Sequence, residues 1–418
     1  MLDLKFIREN PDLVREGLAA KNNPFEIDRL LEQDADRRRL LLEVEELKSK
    51  RNKANLEIAA LKKSGQADDA QAAIEAMKTI SQKIKDIDEE VGKLDEEIDN
   101  LMYEIPNFPE KDVPRGPGNS ANKVVRTWGT PKKHLFKAKD HLILAEALGW
   151  LSMEKGSKIT GSAFPVYEAE GARLQRALIS LMLDRHGRHG YREVWPPALV
   201  NRQSMTGTGQ LPKFEADMYR LKDDDLFLVP TAEVPITNLF RNDVLKEEDL
   251  PVCYAGYSPC FRREAGSYGK DTKGLSRVHQ FEKVEMVKVV RTEDGAAELE
   301  KLVSDAEAVL QMLELPYRVI LLGSGDMSFS AAKCYDLEVW APGTERWFEV
   351  SSCSWFRDFQ ARRINIRYRR KDNGKLEYAH TLNGSGVALA RTVLCLLENG
   401  QTADGRVEFP QALKAYFK

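Results

Sequence analysis

Between residues 73 and 105 apolar side chains recur three and four positions apart, through Ala73, Met77, Ile80, Ile84, Ile87, Val91, Leu94, Ile98, Leu101 and Ile105, with charged residues filling the gaps. That spacing gathers the apolar groups into one stripe on a helix and makes a coiled-coil seam. A sparser seam runs through Leu40, Val44, Leu47, Ala54, Ile58 and Leu61, with Arg37 and Arg51 at positions the repeat would otherwise make apolar. Lys62-Lys63-Ser64-Gly65-Gln66 interrupts both patterns, as a turn between antiparallel helices does. Two helices of roughly 35 residues at 1.5 Å per residue predict an arm about 50 Å long. A two-helix hairpin has no thick core, so the arm is expected to flex relative to the rest of the chain.

The pattern changes after Ile105. Pro106, Pro109, Pro114, Gly116, Pro117 and Gly118 mark a stretch where neither helix nor strand persists. The sequence therefore divides into an arm domain over 1–105, a Pro/Gly-rich linker over 106–123 and a second domain over 124–418. In that second domain amphipathic helices are expected at Ala172 to Arg188 and Ala296 to Leu313. Short apolar or alternating strands are expected at Leu226 to Val229, Val278 to Val290 and Val319 to Leu322. Strands come in runs instead of alternating strictly with helices, which predicts an α+β domain on a mainly antiparallel sheet.

Composition narrows this only slightly. At 418 residues the chain is long for a single core, and a formal net charge of -3 leaves any nucleic-acid surface to a local basic stripe. Cys253, Cys260, Cys334, Cys353 and Cys395 include no Cys-x-x-Cys pair and no His at zinc-ligand spacing, so free thiols and no zinc are expected. The start, MLDLKFIREN, lacks a signal-peptide apolar run, and no stretch is long enough to span a bilayer, which predicts a cytoplasmic protein. No Gly-x-x-x-x-Gly-Lys phosphate loop occurs. His186-Gly187-Arg188-His189 is read as two surface histidines at a helix end, where positive side chains are favoured.

Two runs carry candidate chemistry, FRREAGSYGKDTKGLSRVHQFEKVEMV from Phe261 to Val287 and TLNGSGVALAR from Thr381 to Arg391. Phe261-Arg262-Arg263-Glu264 resembles the second signature motif of class II aminoacyl-tRNA synthetases, and Gly384 to Arg391 resembles the third. Thr231-Ala232-Glu233 and Glu349-Val350-Ser351-Ser352 resemble the seryl-tRNA synthetases in particular. Gly190-Tyr191-Arg192-Glu193-Val194-Trp195-Pro196-Pro197 resembles the first motif, which builds the dimer interface in class II enzymes; read alone, it is a helix running into an edge strand that Pro ends.

The resemblance implies a homodimeric serine–tRNA ligase that uses ATP with Mg²⁺. It activates L-serine and transfers it to serine tRNA, with the selenocysteine tRNA as an additional substrate where one exists. Arg262, Glu264 and Arg391 are then the catalytic set, with Arg262 on the α-phosphate and the serine carboxylate. Glu264, two residues along the same strand, would take the adenine amino group, and Arg391 the γ-phosphate. Arg263, Phe281, Val350 and Ser351 complete the ATP site, with Phe281 stacked on adenine. Glu349 and Ser352 are the implied Mg²⁺ pair, whose hard oxygens suit that ion. Thr231, Ala232, Glu233, Arg262, Glu285 and Ser385 are the implied serine site, with Glu285 on the ammonium and hydroxyl. Arg38, Arg39, Lys48, Lys50, Arg51, Lys53, Lys62 and Lys63 would meet tRNA phosphates along the arm.

The bare chemistry agrees with those roles. Carboxylate attack on phosphate gathers negative charge that a planar guanidinium neutralises while it holds the carboxylate. Nothing in the set is an obvious nucleophile, which fits catalysis by positioning and charge neutralisation. The Gly-rich segment from Ala265 to Arg277, with Lys270, Lys273 and Arg277, is expected to close over a ligand or meet an acceptor stem, the alternative being a solvated hairpin tip. Gly384 and Gly386 are expected to let the backbone approach the ligand. Two positions depart from the family pattern: Ala390 stands where Gly is usual, and Trp355 where Asn is common. Two rival readings remain, a synthetase-like ligase that loads a carrier protein and a non-catalytic regulator. The basic arm argues against the first and the full Arg262, Glu264, Glu349 and Arg391 set against the second.

Overall fold

The structure is a computed structural model and describes residues 1–265 and 274–417. Lys270 and Lys273 lie outside the described residues. The chain forms two compact units, one of Leu2–Leu18 with Pro24–Ile105, the other of residue 1, Ala19–Asn23 and everything from Pro106 onward.

In the first unit the expected hairpin consists of α1 (Asp28–Lys63) and α2 (Ala67–Glu104), of 36 and 38 residues. Lys62 and Lys63 form the last helical turn of α1 instead of the turn itself, which is confined to Ser64-Gly65-Gln66; Gly65 supplies a φ of 80° there. Leu40 and Val44 pack against Ile87 and Val91 at the seam. Arg37 interrupts the first seam because it ion-pairs across the hairpin with Asp95. Lys48 and Lys83 make similar cross-helix pairs with Asp88 and Glu43, at 3.1 and 2.6 Å.

The second unit is built on an eight-stranded sheet. Its strands are β1 (Lys123–Trp128), β2 (Arg192–Val194), β3 (Val252–Phe261), β4 (Gln280–Val290), β5 (Tyr317–Leu321), β6 (Lys333–Ala341), β7 (Arg346–Arg357) and β8 (His380–Ala388). Their order is β1-β5-β6-β7-β8-β4-β3-β2, antiparallel throughout except for the edge pair β2/β3. Helices α3 (Ala169–Arg188), α5 (Gly295–Met312) and α7 (Leu389–Gly400) cover one face. Two shorter ones, α4 (Glu233–Asn238) and α6 (Phe359–Ile364), complete the set that matters for the site. Alternation along β4 sends Val284 and Met286 into the helix-covered core and leaves Phe281 and Lys283 to the opposite face.

Three expectations are corrected by this packing. His186 is fully buried, not a surface residue; it lies on the inward face of α3 and meets the Tyr191 ring edge-on at 5.5 Å, whereas His189 caps the helix in solvent. Burial pushes the His186 imidazole down to about 3, so it is neutral. Arg262 and Glu264 do not share a strand, because the ladder ends at Phe261 and Glu264 takes the left-handed conformation with φ 49°. Gly384 and Gly386 serve the core instead of a ligand: a Cβ at 384 would lie 2.8 Å from Cys353 Sγ, and one at 386 would lie 2.9 Å from His186 Nε2.

Trp355 also belongs to the core. Its ring occupies the space that Gly295 leaves at the start of α5, where a Cβ would fall 2.5 Å from the indole, and its Nε1 donates to His380 Nδ1 at 3.3 Å. The departure from the family pattern at this position therefore points away from the cavity described next, which Ser354 and Phe356 line.

Candidate active site

On the face of the sheet opposite α3 and α5, a cavity of about 340 Å³ opens over the ends of β3, β4, β7 and β8 and is lined also by the first turn of α7. Among the expected site residues, Thr231, Glu233, Arg262, Glu264, Phe281, Glu349, Val350, Ser352, Ser385 and Arg391 line it. Arg263 is exposed outside the lining, Ala232 is buried behind it, and Ser351 is buried beneath, donating to the Ser385 carbonyl at 2.7 Å.

Backbone irregularities set several of these positions. In a regular strand residues three apart face opposite sides. Along β7 the register against β6 slips between Leu337–Ser351 and Glu338–Glu349, so Val350 is an extra, bulged residue. The bulge brings Glu349 and Ser352 onto the cavity side together. Arg391 sits in the first turn of α7 beside Ala390, which also lines the cavity. Its Nε donates to the Ser276 carbonyl at 3.0 Å and its Nη1 to the Glu349 carbonyl at 2.9 Å, with the Glu349 carboxylate 3.3 Å away. Arg262 leans over the Phe281 ring, 5.2 Å from its centroid, and donates to the Pro230 carbonyl at 3.3 Å. Arg277 donates to Glu264 at 3.0 Å.

The opposite end of the cavity holds a buried polar network that the sequence reading only partly foresaw. Glu285 is fully buried and does not line the cavity; its carboxylate accepts from Asn383 Nδ2 at 2.7 Å and ion-pairs with Lys283. Lys283 Nζ also donates to Thr231 Oγ1 at 2.9 Å. Lys283 and Asn383 line the cavity, so they stand between Glu285 and the open space. Glu233 accepts from Gln360 Nε2 at 2.7 Å, and Gln360 Oε1 accepts from Thr381 at 2.7 Å. Burial, with the neighbouring Glu285 adding repulsion, raises the Glu233 carboxyl to about 7, although Gln360, Lys283 and Arg262 oppose the shift.

Lys283, Asn383 and Gln360 were missed as site residues. A signal for Lys283 was present: Lys283 and Glu285 are charged residues two apart on the same strand face as Phe281 and Val287, so they share one face. Gln360 gave none, since its role depends on α6 returning to α4 across more than a hundred residues.

The arrangement gathers four cationic side chains, Arg262, Arg277, Lys283 and Arg391, around one cavity with the rings of Phe214, Phe281, Phe329 and Phe356 and three carboxylates, Glu233, Glu264 and Glu349. Such a lining suits an anionic, polyphosphate-bearing ligand held next to a small polar one. Among the described residues, no cluster of three or more His, Cys, Asp or Glu is arranged to hold a metal ion, and none of their helices is long and apolar enough to cross a membrane.

Comparison with known proteins decides the family. Residues 1–109 match the seryl-tRNA synthetase N-terminal domain, and residues 214–400 match the tRNA synthetase class II core domain (G, H, P, S and T). A serine–tRNA ligase of Caldicellulosiruptor saccharolyticus is 55% identical over 417 residues, covering 100% of this chain and 98% of that protein. The chain belongs to the seryl-tRNA synthetase family. Among solved structures, seryl-tRNA synthetase from Pyrococcus horikoshii complexed with ATP is similar with a TM-score of 0.94 at 38% identity, covering 100% of this chain and 98% of that one. The cytoplasmic serine–tRNA ligase of Naegleria fowleri in complex with AMP gives 0.88 at 30% identity, covering 100% and 97%. Membership of the seryl-tRNA synthetase family agrees with the α+β body and the two-helix arm expected from the sequence.

Proposed function

We propose that this chain is an ATP-dependent serine–tRNA ligase, which condenses L-serine with ATP to seryl-adenylate and pyrophosphate and then passes the seryl group to the 3′ end of serine tRNA. The observation that carries this reading is the cavity itself, where a cationic half next to Phe281 adjoins a small polar half built on Thr231, Lys283 and Asn383. In the cationic half Arg262 neutralises charge at the α-phosphate as the serine carboxylate attacks, and it orients that carboxylate. Arg391 holds the outgoing phosphates, Phe281 carries the adenine, and Glu264 with Arg263 borders the base. Val350 and Ser351 shape the floor.

Serine is held at the polar end by Thr231, Glu233, Ser385 and the Glu285–Lys283–Asn383 network, with Ala232 behind it. A site that satisfies the serine hydroxyl rejects alanine and glycine strongly, because they leave buried polar groups unpaired. Glu349 and Ser352, turned to the same side by the bulge at Val350, would hold Mg²⁺. A pair of oxygen donors fits an ion whose remaining ligands are phosphate and water, and when bound the ion supplies charge neutralisation on the phosphates. No zinc has a role in this reading.

The arm takes the tRNA. Lys50, Arg51, Lys53, Lys62 and Lys63 make no ion pair among the described residues, so their charge is available to phosphates; Arg38, Arg39 and Lys48 are already paired with Asp34, Asp36 and Asp88. A cytoplasmic homodimer joined at the β2 edge, where Trp195 is 72% exposed, completes the reading. The same arm would accept a selenocysteine tRNA where one exists. The test is ATP–pyrophosphate exchange over all amino acids, followed by charging of total tRNA. Serine alone should support exchange, and label should accumulate on serine tRNA. Exchange with another amino acid, or charging of a protein instead of RNA, would overturn the reading.

A further inference from the structure

The second unit includes two short segments from either side of the arm, Ala19–Asn23 and the chain from Pro106 onward. Both fasten onto one stretch of backbone. Lys21 Nζ donates to the carbonyls of Ser328 and Ala331 at 2.7 and 2.9 Å. Asn107 donates its backbone N–H to the Phe329 carbonyl at 3.0 Å, and its Nδ2 to the Ser330 carbonyl at 2.9 Å and the Phe356 carbonyl at 2.7 Å. The Glu110 N–H takes the Ala332 carbonyl at 2.9 Å. Five consecutive carbonyls, 328 to 332, are thus each held by a donor from a segment that borders the arm.

Those carbonyls belong to a wall of the cavity. Ser328, Phe329 and Ser330 line it. Outside regular secondary structure a run of carbonyls has no ladder to fix it, so its position is set by whichever donors reach it. From this wall the contacts lead to the polar end of the site. Ser330 Oγ donates to the Thr208 carbonyl at 3.3 Å, and the same carbonyl accepts from Gln360, which holds Glu233. The Phe329 ring meets Phe359, the neighbour of Gln360, edge-on at 5.9 Å.

We propose that Lys21 and Asn107 are positioning residues for serine, which fix the Ser328–Ser330 wall and through it the Gln360–Glu233 pair. The two points where the chain departs for the arm and returns from it therefore also set the geometry of the amino-acid site. This rests on the serine-activating reading of the cavity. Neither residue lines the cavity, and their effect passes through backbone that does.

The experiment uses the full chain with Lys21→Met, Lys21→Arg and Asn107→Leu, measuring ATP–pyrophosphate exchange against serine and against ATP, with thermal unfolding alongside. Lys21→Met should raise the KM for serine about 10-fold while the KM for ATP moves less than about 2-fold, the scale on which a displaced site wall acts from a distance. Lys21→Arg, which keeps donors for both carbonyls, should restore a serine KM near the parent's. Asn107→Leu should shift serine KM in the same direction. A parent without serine-dependent exchange would defeat the functional reading instead of this one. Given an active parent, an unchanged serine KM in Lys21→Met would overturn the proposal. So would a parallel rise in both KM values accompanying a lowered unfolding midpoint, which is the mark of a merely structural contact.

Discussion

The arm and the cavity both present cationic side chains, yet they are built in opposite ways. In the arm each charge sits on a helix surface, set by neighbours three, four or one helix away. Arg38 and Arg39 reach Asp34 and Asp36 on their own helix, and Lys48 crosses to Asp88. In the cavity Arg262, Lys283 and Arg391 come from separate parts of the sheet and α7, and each is fixed by backbone carbonyls or buried partners. Exposed charges of the first kind act through number and field, and are screened by salt. Fixed charges of the second kind act through placement, one by one. Losing a single cavity cation should therefore matter far more than losing a single arm cation.

The largest expected effect is at the cationic end of the cavity. Arg262→Ala and Arg391→Ala should each lower serine-dependent exchange by about 10²–10³-fold, the scale for removing one group that stabilises developing charge. The loss at Arg262 should fall mainly on kcat, and that at Arg391 should also raise the KM for ATP. If Arg391→Ala bound ATP as the parent does, the phosphate assignment would be wrong. Next comes Glu285, whose loss leaves Lys283 and Asn383 without their buried partner. Glu285→Ala should weaken serine activation by about 3 kcal/mol or more with little change in ATP affinity. Near-normal serine exchange would remove Glu285 from the serine site.

Trp355 separates fold from chemistry. Trp355→Ala empties a core position facing Gly295 and should cost about 3–5 kcal/mol of stability in a denaturant titration, while exchange by the folded protein stays within about 2-fold of the parent. A selective loss of exchange without a loss of stability would place Trp355 in the site after all. A smaller, pH-dependent effect is expected at Glu233. Its carboxyl titrates near 7 when folded against an ordinary 4.5, so the folded state holds the proton longer than the unfolded state does. Its contribution is favourable below that range and is lost as pH rises from about 4.5 to 7. Glu233→Gln should therefore gain roughly 1–3 kcal/mol on the parent between pH 4.5 and 8, read from unfolding at each pH. Parallel pH profiles for the two proteins would contradict this.

The same contrast explains what the sequence disclosed. The arm could be read from periodicity because its contacts are local or repeat every turn, and even the anomaly at Arg37 has a partner, Asp95, on the next helix. In the body, the strands expected at 226–229, 278–290 and 319–322 and the helices expected at 172–188 and 296–313 lie within a few residues of those observed, whereas β6, β7, β8 and α7 were not singled out by apolar patterning. The site residues were recognisable as motifs, but their orientation was not. The bulge at Val350 that turns Glu349 toward the cavity leaves no mark in composition, and neither does the end of the β3 ladder at Phe261 that separates Arg262 from Glu264. His186 and the two glycines at 384 and 386 were misread because burial depends on which face of α3 or β8 meets the core. Lys21 and Asn107 bear on the cavity only through carbonyls some two to three hundred residues away.

The central claim is that tRNA capture belongs to the arm and serine activation to the cavity. The most direct test replaces Lys50, Arg51, Lys53, Lys62 and Lys63 together with serine in the full chain, and measures exchange and tRNA charging on the same preparation. Serine-dependent exchange should stay within about 2-fold of the parent, while the KM for serine tRNA rises by about 10-fold or more and its dependence on salt flattens, as loss of several phosphate contacts requires. Charging at the parent's efficiency, or exchange that falls in step with charging, would contradict it.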